Sequence, residues 1–565
     1  MQNQTKQCQN CKKDFVIEPA DLSFYEKMRV PPPTWCPECR MMRRMAFMNI
    51  YSLYKRACDK CGVSTISMFH EDKKQIVYCS KCWWADDWDG TEFGIDYDPN
   101  RPFLEQLMEL QKRTPCMALD TLYSSLVNTT YTNFSSHLKN SYALFFADYT
   151  ENAYYSEFLN GLNDSSDCHR IRESELCYGN VGMFKCSRTA FSEECDNCVS
   201  VLFSKNCAGC TDCFGCMNLR NKSYCIWNKQ YSKEDYFAFL SSIDLSSHEQ
   251  CEKYKNEARA FWLKHPVRSF YGNGLNVNVS GDYIYESKNT HDAYLVTSAE
   301  DSRYVQMLSV GSTKDAYDYT CWGGGVERVY DSLIAGHGGY NIRFSMGSYP
   351  NALNNEYCYY ASSCKNIFGC TNLKKKDHCI LNKQYSKEEY EKLREEIIKS
   401  MHALPFIDPL GRTYAYGEML PLEMSSFGYN ETIANDYFPL TKEQALGNGL
   451  EWFESAQNQY NPTIKAADLP DKRGDMADVT KEIIECACGR CYRIIQGELD
   501  VIQKLNLSLP HLCPECRRRE RFARVNPPKL YDRTCAKCGK PIQTAYASDR
   551  PEIVYCESCY QNEVS

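Results

Sequence analysis

In residues 128–235 and 273–385 the apolar positions come in short runs, SYALFF, DYIYES, AYLVTS and RYVQML, set among Asn, Ser, Gly and Cys, with almost no helical period. Short runs of this kind with turn residues between them predict short strands. Cys168, Cys177, Cys186 and Cys195 fall nine residues apart, and Cys198, Cys207, Cys216 and Cys225 do so again. Regular return of a small side chain to the interior predicts a parallel β-solenoid in which each coil stacks a like side chain on its neighbour; a β-sandwich with irregular loops is the alternative. The stretch CFGCMNLRNKSYCIWNKQYSKEDY (213–236) matches IFGCTNLKKKDHCILNKQYSKEEY (367–390) at a shift of 154, and NKQYSKE is identical in both. The body is therefore two related modules. We place them at 128–235 and 273–385, with helical connectors at 101–127 and 236–272. Charged runs such as EEYEKLREEIIKSM open a helical and irregular linker at 386–480.

The ends carry a second duplication. Residues 36–82 lie over residues 513–559 at a constant shift of 477, superposing Cys36, Cys39, Cys58, Cys61, Cys79 and Cys82 on Cys513, Cys516, Cys535, Cys538, Cys556 and Cys559. LYKRACDKCG aligns with LYDRTCAKCG and QIVYCSKC with EIVYCESC. A further pair precedes each copy, Cys8 with Cys11 and Cys488 with Cys491, so each end holds four CxxC pairs. Four thiolates in a tetrahedron suit a structural zinc ion, and two CxxC knuckles close one site. This predicts four zinc ions per chain, bound sequentially by pairs of neighbouring knuckles, with a cross-braced pairing as the alternative. Cys486, two residues before Cys488, is a spare sulfur able to substitute for a ligand. The 17 residues between Cys61 and Cys79, and between Cys538 and Cys556, match LIM-type and GATA-type treble-clef fingers in spacing alone. The expected fold is mainly β and multidomain: terminal double zinc ribbons at 1–100 and 481–565 flanking the duplicated solenoid body.

Charge adds a candidate function. Residues 1–85 hold 14 Lys and Arg against 8 Asp and Glu, and residues 481–565 hold 14 against 11, although the chain carries −8 overall. The runs RMMRRMAF and RRRERFAR follow the second knuckle of each first site, where treble-clef folds begin a helix. Arg40, Arg43 and Arg44, and Arg517, Arg518, Arg519 and Arg521, are thus candidates to contact the phosphates of a nucleic acid, RNA above DNA, or of a ribonucleoprotein. Arginine beside four thiolates also offsets their charge, which is the plainer reading of the same residues. Two rivals stand beside a nucleic-acid scaffold: a protein–protein adaptor anchored by Trp83, Trp84 and Trp88, and an enzyme with its site on the solenoid.

Other motifs carry less. The run CAGCTDCFGC (207–216) has the look of a cluster motif, but at the shift of 154 Cys207 falls on Ala361 and Cys213 on Ile367, which marks apolar core positions. The glycine runs WGGGVE and AGHGGY lack phosphate-loop spacing and fit tight solenoid turns, and His337 stands alone in the second. No catalytic constellation is legible. The 34 cysteines, the absence of a secretory apolar run in the first 30 residues and the absence of long apolar stretches point to a reducing cytoplasm and no membrane. Taken together, FYEKMRVPPPTWCPEC, LYKRACDKCG, VYCSKCWWADDWD, NKQYSKEEY, YNETIANDYFPLTKEQA and RPEIVYCESCY resemble a family of multi-zinc-ribbon proteins of reduced-genome candidate-phylum bacteria. That resemblance implies zinc binding and a cytoplasmic location, and no activity.

Overall fold

The computed structural model describes residues 2–272, 275–454, 460–476 and 478–564. The body is a parallel β-solenoid. In its first module every third residue from Asn128 to Trp227 has positive φ, and strands pair in parallel at a register of 12, as in His169 with Glu157 and Thr211 with Ser223. Each coil therefore has four sides of three residues, turned at each corner by a left-handed residue. Asn and Asp tolerate that conformation best among non-glycine residues, and Asn128, Asn140, Asn152, Asp164 and Asp167 all occupy such corners.

One residue of each three points inward. Leu144, Ala147, Ala153, Leu162, Cys168, Ile171, Cys177 and Cys213 are fully buried in one core file. Small side chains are needed because four of them meet in each coil. Ser156 shows how the polar ones are satisfied: its hydroxyl donates to the Tyr154 carbonyl at 2.7 Å and accepts from the Cys168 N–H at 2.9 Å. The interior thiols follow suit, Cys186 donating to the Phe184 carbonyl at 3.3 Å and Cys216 to the Phe214 carbonyl at 3.3 Å. Cys207, Cys210, Cys213 and Cys216 are successive inward residues of one coil, each at most 1% exposed. The core reading of CAGCTDCFGC holds, but the stacking period is 12 and the nine-residue cysteine spacing is three sides of a coil.

The second module keeps the three-residue unit with insertions. Its registers widen to 14 at Ala299 with Thr313 and to 13 at Thr313 with Val326 and Glu327 with Tyr340, then return to 12 at Leu353 with Lys365. WGGGVE and AGHGGY sit at the widened turns, where Gly323, Gly324 and Gly325 have positive φ in succession. A Cβ at Gly323 would lie 2.1 Å from the Val310 carbonyl oxygen of the previous coil, which accounts for a glycine there.

The chain forms two compact units, and neither is continuous in sequence. One comprises residues 1–118, 270–455 and 528–530, the other residues 119–269, 456–527 and 531–565. The N-terminal ribbons thus belong with the second solenoid module and the C-terminal ribbons with the first. Residues 386–480 are not a linker throughout. Helix Lys387–Ala403, with a Ser386 capping box, leads into a segment that folds onto the N-terminal ribbons: Phe427 stacks on Phe69 at 5.2 Å, and the side-chain amide of Gln9 donates to the Thr413 carbonyl at 3.0 Å. Helix His248–Trp262 buries Cys251, Tyr254, Ala258 and Trp262, and these share a core with Phe203, Phe214 and Met217 of the first module. Among the described residues no helix is long and apolar enough to cross a membrane.

Candidate metal centres and the arginine helices

Each end builds two cysteine tetrads whose sulfurs all lie within 4.8 Å of one another: Cys8, Cys11, Cys36 and Cys39; Cys58, Cys61, Cys79 and Cys82; Cys486, Cys488, Cys513 and Cys516; Cys535, Cys538, Cys556 and Cys559. Pairing is sequential. The first knuckle of each set is the tip of an antiparallel hairpin, such as Gln4–Gln7 with Asp14–Ile17 and Tyr54–Ala57 with Ser64–Ser67. The second knuckle opens a helix: Cys36 caps Pro37–Met45 and Cys513 caps Pro514–Phe522, each with proline in its first turn. The two knuckles are tied by amide-to-sulfur bonds, the Cys36 N–H donating to Cys8 Sγ at 3.2 Å, the Cys79 N–H to Cys58 Sγ at 3.2 Å and the Cys513 N–H to Cys486 Sγ at 3.3 Å.

The first thiol of each set is drawn toward the thiolate. Burial pushes Cys58 up, but the amides of Cys79, Cys61 and Lys60 outweigh it and leave the group at about 6. The same balance leaves Cys535 at about 6 and Cys486 at about 7. Cys8 is lowered further, mainly by the thiols of Cys36 and Cys39. Four sulfurs at this spacing, with amides already facing them, fit a tetrahedral metal ion.

One ligand differs from expectation. The third tetrad takes Cys486 and Cys488, and Cys491 stands outside it. Its knuckle is one residue shorter: the Gly489 N–H donates to the Cys486 carbonyl at 2.8 Å, where the N-terminal knuckles close with Lys12 N–H on the Cys8 carbonyl and Gly62 N–H on the Cys58 carbonyl. The constant shift of 477 contained this answer, since it carries Cys11 onto Cys488 and Asp14 onto Cys491. Matching CxxC to CxxC broke that shift, while a one-residue deletion that places Cys486 opposite Cys8 keeps it.

The arginines that the sequence offers to phosphate are turned inward. Arg40, Arg43 and Arg44 are at most 1% exposed. Arg40 meets Asp318 at 2.9 Å, Arg43 meets Asp331 at 2.6 Å and Glu418 at 3.1 Å, and Arg44 meets Asp318 at 3.2 Å and Asp331 at 3.1 Å. Asp318 and Asp331 are left-handed corner residues of the second solenoid module. Beside them Phe24 of the preceding helix stacks on Tyr317 at 3.9 Å, and Arg43 lies over Trp35 at 4.5 Å. In the other unit Arg517 pairs with Asp167 and Glu498, and Arg521 meets Asp167 at 2.6 Å and Glu157 at 3.4 Å. Arg518 meets Glu515 of its own helix at 3.2 Å, and Arg519 reaches the same carboxylate at 3.0 Å but is 63% exposed. Six of the seven candidates are therefore internal, and Arg519 alone of them faces solvent. The physical reason is charge: buried carboxylates, those of the solenoid corners Asp167, Asp318 and Asp331 foremost, neutralise the guanidinium groups within each unit.

Of the three tryptophan anchors two are buried and one, Trp84, is exposed as expected. Trp83 and Trp88 are 1% and 7% exposed and their rings meet at 5.0 Å, with the Lys374 ammonium 4.2 Å from the Trp88 ring; Trp84 is 42% exposed. A buried pair missed by the sequence reading is His169 with Glu157, at 3.0 Å beneath the C-terminal arginine helix. Burial pushes His169 down to about 4 despite Glu157. No family model and no curated protein matches the chain.

Proposed function

We propose that the protein is a zinc-stabilised, non-catalytic scaffold of the cytoplasm, in which each double ribbon is docked on its own solenoid module and the partner is a protein. The observation that carries this reading is the burial of the duplicated arginine pairs against Asp318, Asp331, Asp167 and Glu157. Cations already neutralised inside the molecule are not free to hold phosphate, so the adaptor reading gains what the nucleic-acid reading loses. Zinc suits the four-thiolate sets because a closed site of this kind needs no open coordination position and stabilises a small ribbon lacking a large core.

The test has two parts. Elemental analysis of the purified chain should give four zinc ions, and a content near two would remove the assignment at one end. Capture from native lysate, with and without nuclease, should return the same protein partner in both cases, with an absorbance ratio free of nucleic acid. Co-purified RNA that leaves on charge reversal of Arg519 would restore the nucleic-acid scaffold.

A further inference from the structure

We propose that the third site is a peroxide-sensitive thiol centre, in which the ligand Cys488 forms a disulfide with Cys491 and the metal is released. This rests on the reading that the site holds zinc. Cys488 is exposed and Cys491 is partly exposed, three residues on and outside the tetrad. Cys488 lies in the loop at the tip of a hairpin and Cys491 opens its returning strand. Glu485 pairs with Cys491 across the hairpin, the Cys486 N–H donates to the Arg490 carbonyl at 2.9 Å, and the Cys491 sulfur reaches outward to the Tyr460 carbonyl at 3.8 Å. Two cysteines with two residues between them have the sequence spacing of a CxxC redox pair.

The duplication supplies the controls. Cys61 and Cys538 are exposed ligands too, but the residues three beyond them are Ser64 and Pro541, and beyond Cys11 it is Asp14. The third site thus joins an exposed ligand to a resolving thiol that no metal holds.

The step balances with hydrogen peroxide as oxidant. The Cys488 sulfur attacks one peroxide oxygen, the O–O bond breaks, hydroxide leaves and the sulfur becomes a sulfenic acid. Cys491 sulfur then attacks that sulfur, the S–S bond forms and water leaves, so that two thiols are oxidised as one peroxide is reduced. Cys486, Cys513 and Cys516 remain, three ligands where the closed site had four, and the zinc is lost.

The experiment titrates the full-length, zinc-loaded chain with hydrogen peroxide, following release with a colorimetric chelator and mapping disulfides by mass spectrometry. The expected first event is release of about one zinc per chain with a Cys488–Cys491 link. Cys491→Ser should be isolated with its full zinc content and lose that first release. First release from any of the other three sites, or an unchanged release in Cys491→Ser, would overturn the proposal. A Cys491→Ser chain isolated one zinc short would overturn the ligand assignment itself, and a wild-type chain without zinc would instead defeat the underlying metal reading.

Discussion

In the N-terminal ribbon three guanidinium groups, of Arg40, Arg43 and Arg44, meet three carboxylates, of Asp318, Asp331 and Glu418. In the C-terminal ribbon two, of Arg517 and Arg521, meet three, of Asp167, Glu157 and Glu498. The shift of 477 carries Arg40 to Arg517 and Arg44 to Arg521, but Arg43 to Glu520. Glu498 is buried within this cluster, and burial pushes its carboxyl up to about 7, against the pull of Arg517. Its counterpart at the shift is Asp21, which meets Arg303 of the solenoid at 3.0 Å and whose carboxyl burial likewise raises. The comparison teaches that the conserved part of the duplicated phrase is the pair of arginines reaching solenoid corners. The third charge belongs to the first copy alone, since Glu520 stands at its position in the second.

The largest effect expected is at the metal. Cys486→Ser should cost the chain one zinc and on the order of 10 kcal/mol of ribbon folding, whereas Cys491→Ser should cost neither. Metal analysis with thermal unfolding distinguishes the two. Next come the clamps. Arg517→Leu leaves the buried Glu498 without its cation and Arg44→Leu leaves three buried carboxylates sharing two guanidinium groups; each should destabilise its own unit by about 3–5 kcal/mol, while Arg519→Leu should stay within about 0.5 kcal/mol in denaturant unfolding.

The pH response is smaller and has a definite sign. Glu498 is raised to about 7 in the folded state, so its contribution is full below the ordinary carboxylate range and is lost as pH rises through 7. His169 is depressed to about 4, so its contribution is full above the ordinary imidazole value and is lost as pH falls through 4. The two oppose each other between about pH 4.5 and 6.5. Glu498→Gln removes the first and should make the acid-side loss of stability steeper in that window; an unchanged slope would place the proton elsewhere. The smallest effect is in the core file, where Cys213→Val should cost about 1 kcal/mol with no change in metal content.

Seven of the eight cysteine knuckles, the module duplication and the solenoid class were legible because each repeats in sequence. Cys213 opposite Ile367 was enough to separate core thiols from ligands, since a ligand position cannot accept isoleucine. The coil length was hidden because inward positions alternate among Cys, Ser, Thr and Val, so that like residues return at nine while strands pair at 12. The fate of the arginines was illegible for a different reason. Asp318 lies 274 positions from Arg44, and Asp167 lies 350 positions from Arg517. Both are corner residues of a kind the solenoid uses throughout, and nothing local marks them as partners. Basic helices read one at a time look like phosphate binders when their counter-charges come from another part of the chain.

The most direct test of the clamp is a double-mutant cycle between Arg44 and Asp318, using Arg44→Leu, Asp318→Asn and the pair, with unfolding free energies measured at neutral pH and full zinc. A docked ribbon requires a coupling energy of about 2 kcal/mol, the double variant being less destabilised than the two singles add up to. Additive effects, with both singles near zero, would mean that the arginine helix does not rest on the solenoid and is free to meet an outside partner.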